Sequence, residues 1–145
     1  MKRFIFALRV LAIAMTVLAA AAGCFPAITE TLVPFFPDEF GIIEETVGNL
    51  HFPLLLGLLA MAAVRVVLLL LRRLPADVVS CVLGIPCVLW MAAIPLLLDA
   101  MQPMGGLAGY HYQLTFFGTI ALICGTLSFL ANVLLCIFIG CRKRV

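Results

Sequence analysis

Arg9 and Arg65 stand in runs that are otherwise apolar, "FALRVLAIAM" and "AAVRVVLLLL", and Asn132 interrupts another, "SFLANVLLC". A guanidinium in apolar surroundings is suited to one chemistry, the holding of an anion. It keeps its charge and presents several N–H donors in a planar fork. Asp77, at the start of a further apolar run, is the acid placed to neutralise part of that charge. Arg9, Arg65, Asn132 and Asp77 are therefore the candidate intramembrane polar cluster, with an anionic lipid headgroup or a small anion as its ligand.

A plainer reading competes with it. At a rise of 1.5 Å per residue, Arg65 lies about 9 Å from Leu71, Arg9 about 8 Å from Phe4 and Asn132 about 12 Å from Gly140. From that depth an arginine can snorkel to the headgroups, and each arginine is expected to do so. Asn132 is then an ordinary interhelical hydrogen-bond donor. The alternative is a shared polar pocket open to the cytoplasm.

The remaining reactive side chains point to no reaction. There are six cysteines, and no pair is spaced Cys-x-x-Cys. A membrane thiol oxidoreductase needs a pair of outward-facing thiols to exchange with an oxidising compartment, and only Cys24 is placed for that. Cys81, Cys87, Cys124 and Cys136 read as packing residues. His51 and His111, with Glu44, Glu45 and Asp99, have no metal-ligand spacing, and Tyr110 and Tyr112 read as an interfacial aromatic belt around His111. No nucleophile elbow or phosphate loop is present, so the expectation is a non-enzymatic protein with no cofactor and no metal.

The elements that carry these residues follow from composition. The 145 residues are 66% hydrophobic and 11% charged, with a mean hydropathy of +1.28. A soluble domain is about a quarter charged. The apolar residues fall in blocks at 4–22, 52–71, 78–98 and 114–140. Each approaches the roughly 20 residues that cross a ~30 Å hydrocarbon layer. Backbone groups in lipid must be satisfied within their own segment, so the blocks are helices. The expected fold is all-α, an integral membrane four-helix bundle forming one domain over 1–145.

Charge gives the orientation. Lys2, Arg3, Arg72, Arg73, Arg142, Lys143 and Arg144 flank the blocks on one side. The loops 23–51 and 99–113 hold no lysine or arginine, whereas Glu30, Asp38, Glu39, Glu44, Glu45 and Asp99 all lie there. Positive residues stay in the cytoplasm, so both termini are expected there. The expected location is a cell membrane crossed several times, a bacterial cytoplasmic membrane. The basic ends suit anionic headgroups. The base runs are short and lie against the membrane, so nucleic acid is not an expected partner.

Three further stretches carry expectations. "MKRFIFALRVLAIAMTVLAAAAGC" resembles a bacterial lipoprotein signal, which makes Cys24 a candidate lipidation site and would leave three spans. Ala21, where such signals prefer leucine, and Arg9 in the apolar core favour the uncleaved, four-span form. In the first outer loop, Phe40, Ile43, Val47 and Leu50 recur at helical spacing, so a short amphipathic helix is expected over 38–50, with Asp38 near its start. In the last block Cys124, Ser128, Asn132, Cys136 and Gly140 follow every four residues. They form a helix-packing stripe of small or short polar side chains, facing the other spans or a second copy in a homodimer.

The second block, "FPLLLGLLAMAAVRVVLLLLRRL", and the stretch "VLWMAAIPLLLDA" resemble a family of uncharacterised four-span bacterial membrane proteins. Members are often encoded beside a small helix-turn-helix regulator. The resemblance covers the second to fourth blocks. The family's polar cytoplasmic loop is replaced here by "RRLPADVV". The expectation is an accessory or regulatory subunit acting through helix–helix and lipid contacts, with lipids and a membrane protein or second copy as partners. The alternative is a small transporter or channel component with an inner-leaflet anion or headgroup site.

Overall fold

The computed structural model describes residues 2–26, 28–34, 45–48, 52–100 and 108–143. Four helices dominate: α1 (Lys2–Gly23), α2 (Phe52–Leu70), α3 (Leu74–Ala100) and α4 (Phe116–Lys143). They run up, down, up and down. One end of the bundle therefore carries the start of α1, the α2–α3 turn and the end of α4. Three short strands lie at the other end: β1 (Ile28–Pro34), β2 (Glu45–Gly48) and β3 (Ala108–Leu114).

α1, α3 and α4 are each long and apolar enough to cross a bilayer, and the apolar part of α2 found over Leu55–Leu70 is shorter. Large apolar side chains such as Phe6, Val67, Val82, Leu89, Leu96 and Ile137 face outward and are exposed in the isolated chain. A water-soluble bundle would bury such residues. Here they coat the outside, and the most enclosed side chains include Asn132, Asp77, Ser80 and Ser128.

The turn between α2 and α3 is tight. Arg72 adopts a left-handed backbone, φ 54°, as a helix-ending residue often does. Its guanidinium carbon lies 6.0 Å from the centre of the Phe6 ring. Pro75 then falls in the first turn of α3, where a missing N–H costs no intrahelical bond. Asp77 follows in that turn, near the positive end of the helix dipole. The prolines at 86 and 95 lie inside α3, which nevertheless runs as one helix.

The strands form one antiparallel sheet in the order β2-β1-β3. Thr31 of β1 pairs with Glu45 on one side and with His111 on the other. This corrects the expected helix over 38–50. Residues 45–48 are a strand, and the rest of that stretch lies outside the described residues. Gly48 disfavours a helix, Thr46 and Val47 favour a strand, and the deciding partner, β1, is remote in sequence. "AGYHYQL", read as loop from the sequence, is β3 for the same reason.

Thr115 fixes the sheet end to the bundle. It stands just before α4 and accepts a hydrogen bond from Gly118 N–H at 3.2 Å, an N-cap. Its hydroxyl also donates to Pro26 O at 2.6 Å. Beside it, Phe25 stacks on Phe117 with ring centres 4.7 Å apart. Ile28 of β1 joins Ala22, Met91, Ile94 and Ala121 in an apolar cluster below the sheet. A second cluster, Leu8, Ala12, Leu69, Ala131 and Leu135, fills the terminal end.

Candidate functional site

Each helix contributes polar groups to the bundle interior, and helical spacing places them there. Arg9 and Thr16 are seven apart on α1, Arg65 and Leu69 four apart on α2, and Asp77, Ser80 and Gly84 share one face of α3. Ser128 and Asn132 do the same on α4. All the side chains of Arg9, Thr16, Arg65, Asp77, Ser80, Ser128 and Asn132 are buried.

Arg9 and Asp77 form a closed pair. Nη1 and Nη2 of Arg9 each lie 2.8 Å from one carboxylate oxygen of Asp77. Nη1 also donates to Leu69 O, in the last turn of α2, where carbonyls lack an intrahelical partner. Arg9 is 6% exposed and Asp77 fully enclosed. One cation thus sits between the negative end of α2 and an acid at the positive end of α3.

Arg65 is held differently. It is 2% exposed, and its Nε donates to Ser80 O at 3.1 Å while Nη2 donates to Ser128 Oγ at 3.2 Å. Among the described residues no carboxylate bonds to it, and Nη1 has no hydrogen-bond partner. The guanidinium packs close against Gly84. A Cβ there would stand 3.1 Å from Nη2 and 3.1 Å from Phe129 Cδ2.

Short polar side chains join the two arginines. Ser128 Oγ lies 2.6 Å from Thr16 Oγ1, and both hydroxyls reach Ala12 O, at 2.9 and 2.8 Å. Asn132 meets Ser80 Oγ at 3.0 Å. With its amide oxygen toward Ser80 and Cys81 N–H, its nitrogen donates to Asp77 O at 3.3 Å. The layer therefore stitches all four helices together between the two apolar clusters.

The candidate residues are thus divided between two subsites. Arg9 meets Asp77, whereas Arg65 and Asn132 meet through Ser80 rather than each other. In place of the snorkelling course, both arginine side chains are buried and find acceptors inside the bundle. In the stripe on α4, Ser128 and Asn132 face the other helices, Cys124 and Cys136 are half-buried, and a Cβ on Gly140 would meet nothing within 4 Å. Cys24 is exposed just past α1. Thr16, the Leu69 carbonyl and Gly84 are members that sequence reading missed. The i, i+7 spacing of Thr16 from Arg9 and of Gly84 from Asp77 is the signal that was there to find them.

A cavity of about 60 Å³ adjoins Arg65 and is lined by all four helices. Thr16, Ala20, Leu59, Ala62, Met91 and Gly125 are among its walls. These residues lie on the sheet side of Arg65. The terminal end, toward which the alternative reading opened a pocket, is instead occupied by the Arg9–Asp77 pair and the Leu8, Leu69 and Leu135 cluster. A shallower groove of about 520 Å³ runs between α1 and α2 and shares Thr16, Ala20, Leu59 and Ala62 with the cavity.

Comparison with protein-family models, with curated proteins and with solved structures finds no match to this chain.

Proposed function

We propose that this chain is a four-span integral membrane protein of a bacterial cytoplasmic membrane, with both termini in the cytoplasm. It acts without catalysis, as an accessory or regulatory subunit, through helix–helix and lipid contacts. The observation that carries this reading is the inverted bundle: large apolar side chains outside, and a hydrogen-bonded polar layer enclosed by four helices. Such an interior specifies one helix arrangement and leaves the outer faces for lipid or a partner's helices.

α2 completes the fourth crossing. Its helix rises about 28 Å, close to the ~30 Å hydrocarbon layer. Lys2, Arg3, Arg72 and Arg73 are exposed at the terminal end, where they meet anionic headgroups. The second reading, a small transporter or channel component with an anion site, draws on one specific observation. Arg65 is a buried cation without a bonded acid among the described residues.

Cys24 and Cys141 test the topology, since both are exposed and they lie at opposite ends of the bundle. In variants retaining only one of them, a membrane-impermeant maleimide applied to intact spheroplasts labels Cys24. It labels Cys141 only after the membrane is opened. Labelling of Cys141 in sealed spheroplasts, or recovery of the chain in the soluble fraction, overturns the proposal.

A further inference from the structure

The interior charges do not balance. Among the described residues the buried ionic groups are Arg9, Arg65 and Asp77. Asp77 has both oxygens committed to Arg9, so among the described residues the charge of Arg65 is met by a carbonyl and a hydroxyl. An arginine keeps its proton, and a charge out of water demands a partner.

The structure also holds that charge ready. Ser80 O and Ser128 Oγ fix the guanidinium from two helices, and the absence of a side chain at Gly84 gives it room. The cavity adjoins these contacts, with Arg65 in its wall and Nη1 without a hydrogen-bond partner among the described residues. We infer that Arg65 and this cavity form a binding site for one small, weakly hydrated monoanion.

The ligand class follows from the walls. Arg65 is the only lysine or arginine among the described residues lining the cavity, so a single negative charge is matched and a dianion is not. The other walls are mostly apolar, so the anion must shed its water. Thiocyanate, nitrate and bromide do this readily; fluoride, phosphate and sulfate do not. A water needs about 10–15 Å³ of such space, so a cavity of about 60 Å³ has room for one small ion. A flat anion such as nitrate also suits the guanidinium fork. This inference goes beyond the accessory-subunit reading and does not depend on which way the chain faces.

The test uses the full chain purified in detergent, with thermal unfolding followed by emission of Trp90, the one tryptophan. Gluconate is exchanged for thiocyanate, nitrate or bromide in the millimolar range at constant ionic strength. The unfolding midpoint is expected to rise and saturate with these three and to stay level with fluoride and phosphate. Gly125→Val supplies the second arm. It lines the cavity, and a Cβ there would meet only Val88 Cγ2, at 3.8 Å, an ordinary contact, so the first added carbon finds room and the branch methyls take up the space beyond it. It is expected to unfold no earlier than the parent in gluconate and to lose the anion response. A parent with no saturable response overturns the site. So does an unchanged response in Gly125→Val, or an equal response to phosphate. If anionic phospholipid in nanodiscs raises the midpoint and removes the thiocyanate effect, the ligand is a headgroup and the inference fails.

Discussion

Arg9 and Asp77 meet nitrogen to oxygen twice, each at 2.8 Å, across the junction where α2 ends and α3 begins. The contact couples α1 to α3, and the further bond to Leu69 O brings in α2. Removing one member of such a pair leaves a buried charge unmatched, whereas removing both leaves none. Arg9→Met and Asp77→Leu are therefore each expected to lower stability by about 3–5 kcal/mol. The double variant should be more stable than either single one. Unfolding by sodium dodecyl sulfate titration of the detergent-solubilised protein gives the four values of the cycle. Equal losses that add in the double variant would show that the pair is uncoupled.

Gly84 and Gly57 predict opposite outcomes for the same substitution. A methyl group at Gly84 would press on Arg65 and Phe129 at 3.1 Å, and Arg65 is held in place by Ser80 O and Ser128 Oγ. Gly84→Ala is expected to cost about 1–3 kcal/mol, the usual range for overpacking. At Gly57, inside α2, nothing lies within 4 Å of the added carbon. Gly57→Ala gains the helix preference of alanine, about 0.5–1 kcal/mol. The same detergent titration separates the two, and a similar sign for both would refute the close approach of Arg65 to α3.

The helices were legible because long apolar blocks leave the backbone one choice. The rise per residue also set Arg9, Arg65 and Asn132 at similar distances from their helix ends. What each arginine does was not legible. Two arginines at one level look alike in the sequence, yet one has Asp77 opposite and the other has Ser80 and Ser128. That difference depends on how each helix is rotated, which apolar runs with little polar contrast do not encode. The sheet was hidden for another reason. Thr31 finds Glu45 and His111 only after the helices have brought 28–34, 45–48 and 108–114 to one end, and the spacing of Ile43, Val47 and Leu50 offered a local helix instead.

Thr115 links the end of the bundle to the sheet through one hydroxyl. It accepts from Gly118 N–H and donates to Pro26 O, so Thr115→Val removes an N-cap and a tether while keeping the shape. The loss is expected at about 1–2 kcal/mol, with faster hydrogen exchange at the Gly118 amide. Thr119 makes only a local bond, to Thr115 O at 2.9 Å, and is exposed. Thr119→Val should change neither quantity, and an equal effect at both positions would remove the special role of Thr115.

α1 decides how the cysteine at position 24 is to be understood. Cleavage before Cys24 would take away Arg9, Leu8, Ala12 and Thr16 together. Asp77 would lose its cation, Ser128 would lose both of its α1 partners, and the terminal apolar cluster would lose Leu8 and Ala12. α1 and α4 share the most extensive interface in the bundle, which a released signal segment would have no reason to build. The chain purified from membranes is therefore expected to keep residues 1–23, with an intact mass unchanged by Cys24→Ala apart from the substitution itself. A chain made to start at Cys24 should be degraded or aggregate, because the unmatched Asp77 alone costs about 3–5 kcal/mol. Asp77→Leu introduced into that shortened chain should recover part of its stability. A mass corresponding to a lipid-modified chain that begins at Cys24, still folded and soluble in mild detergent, would show instead that the other three helices hold the bundle without α1.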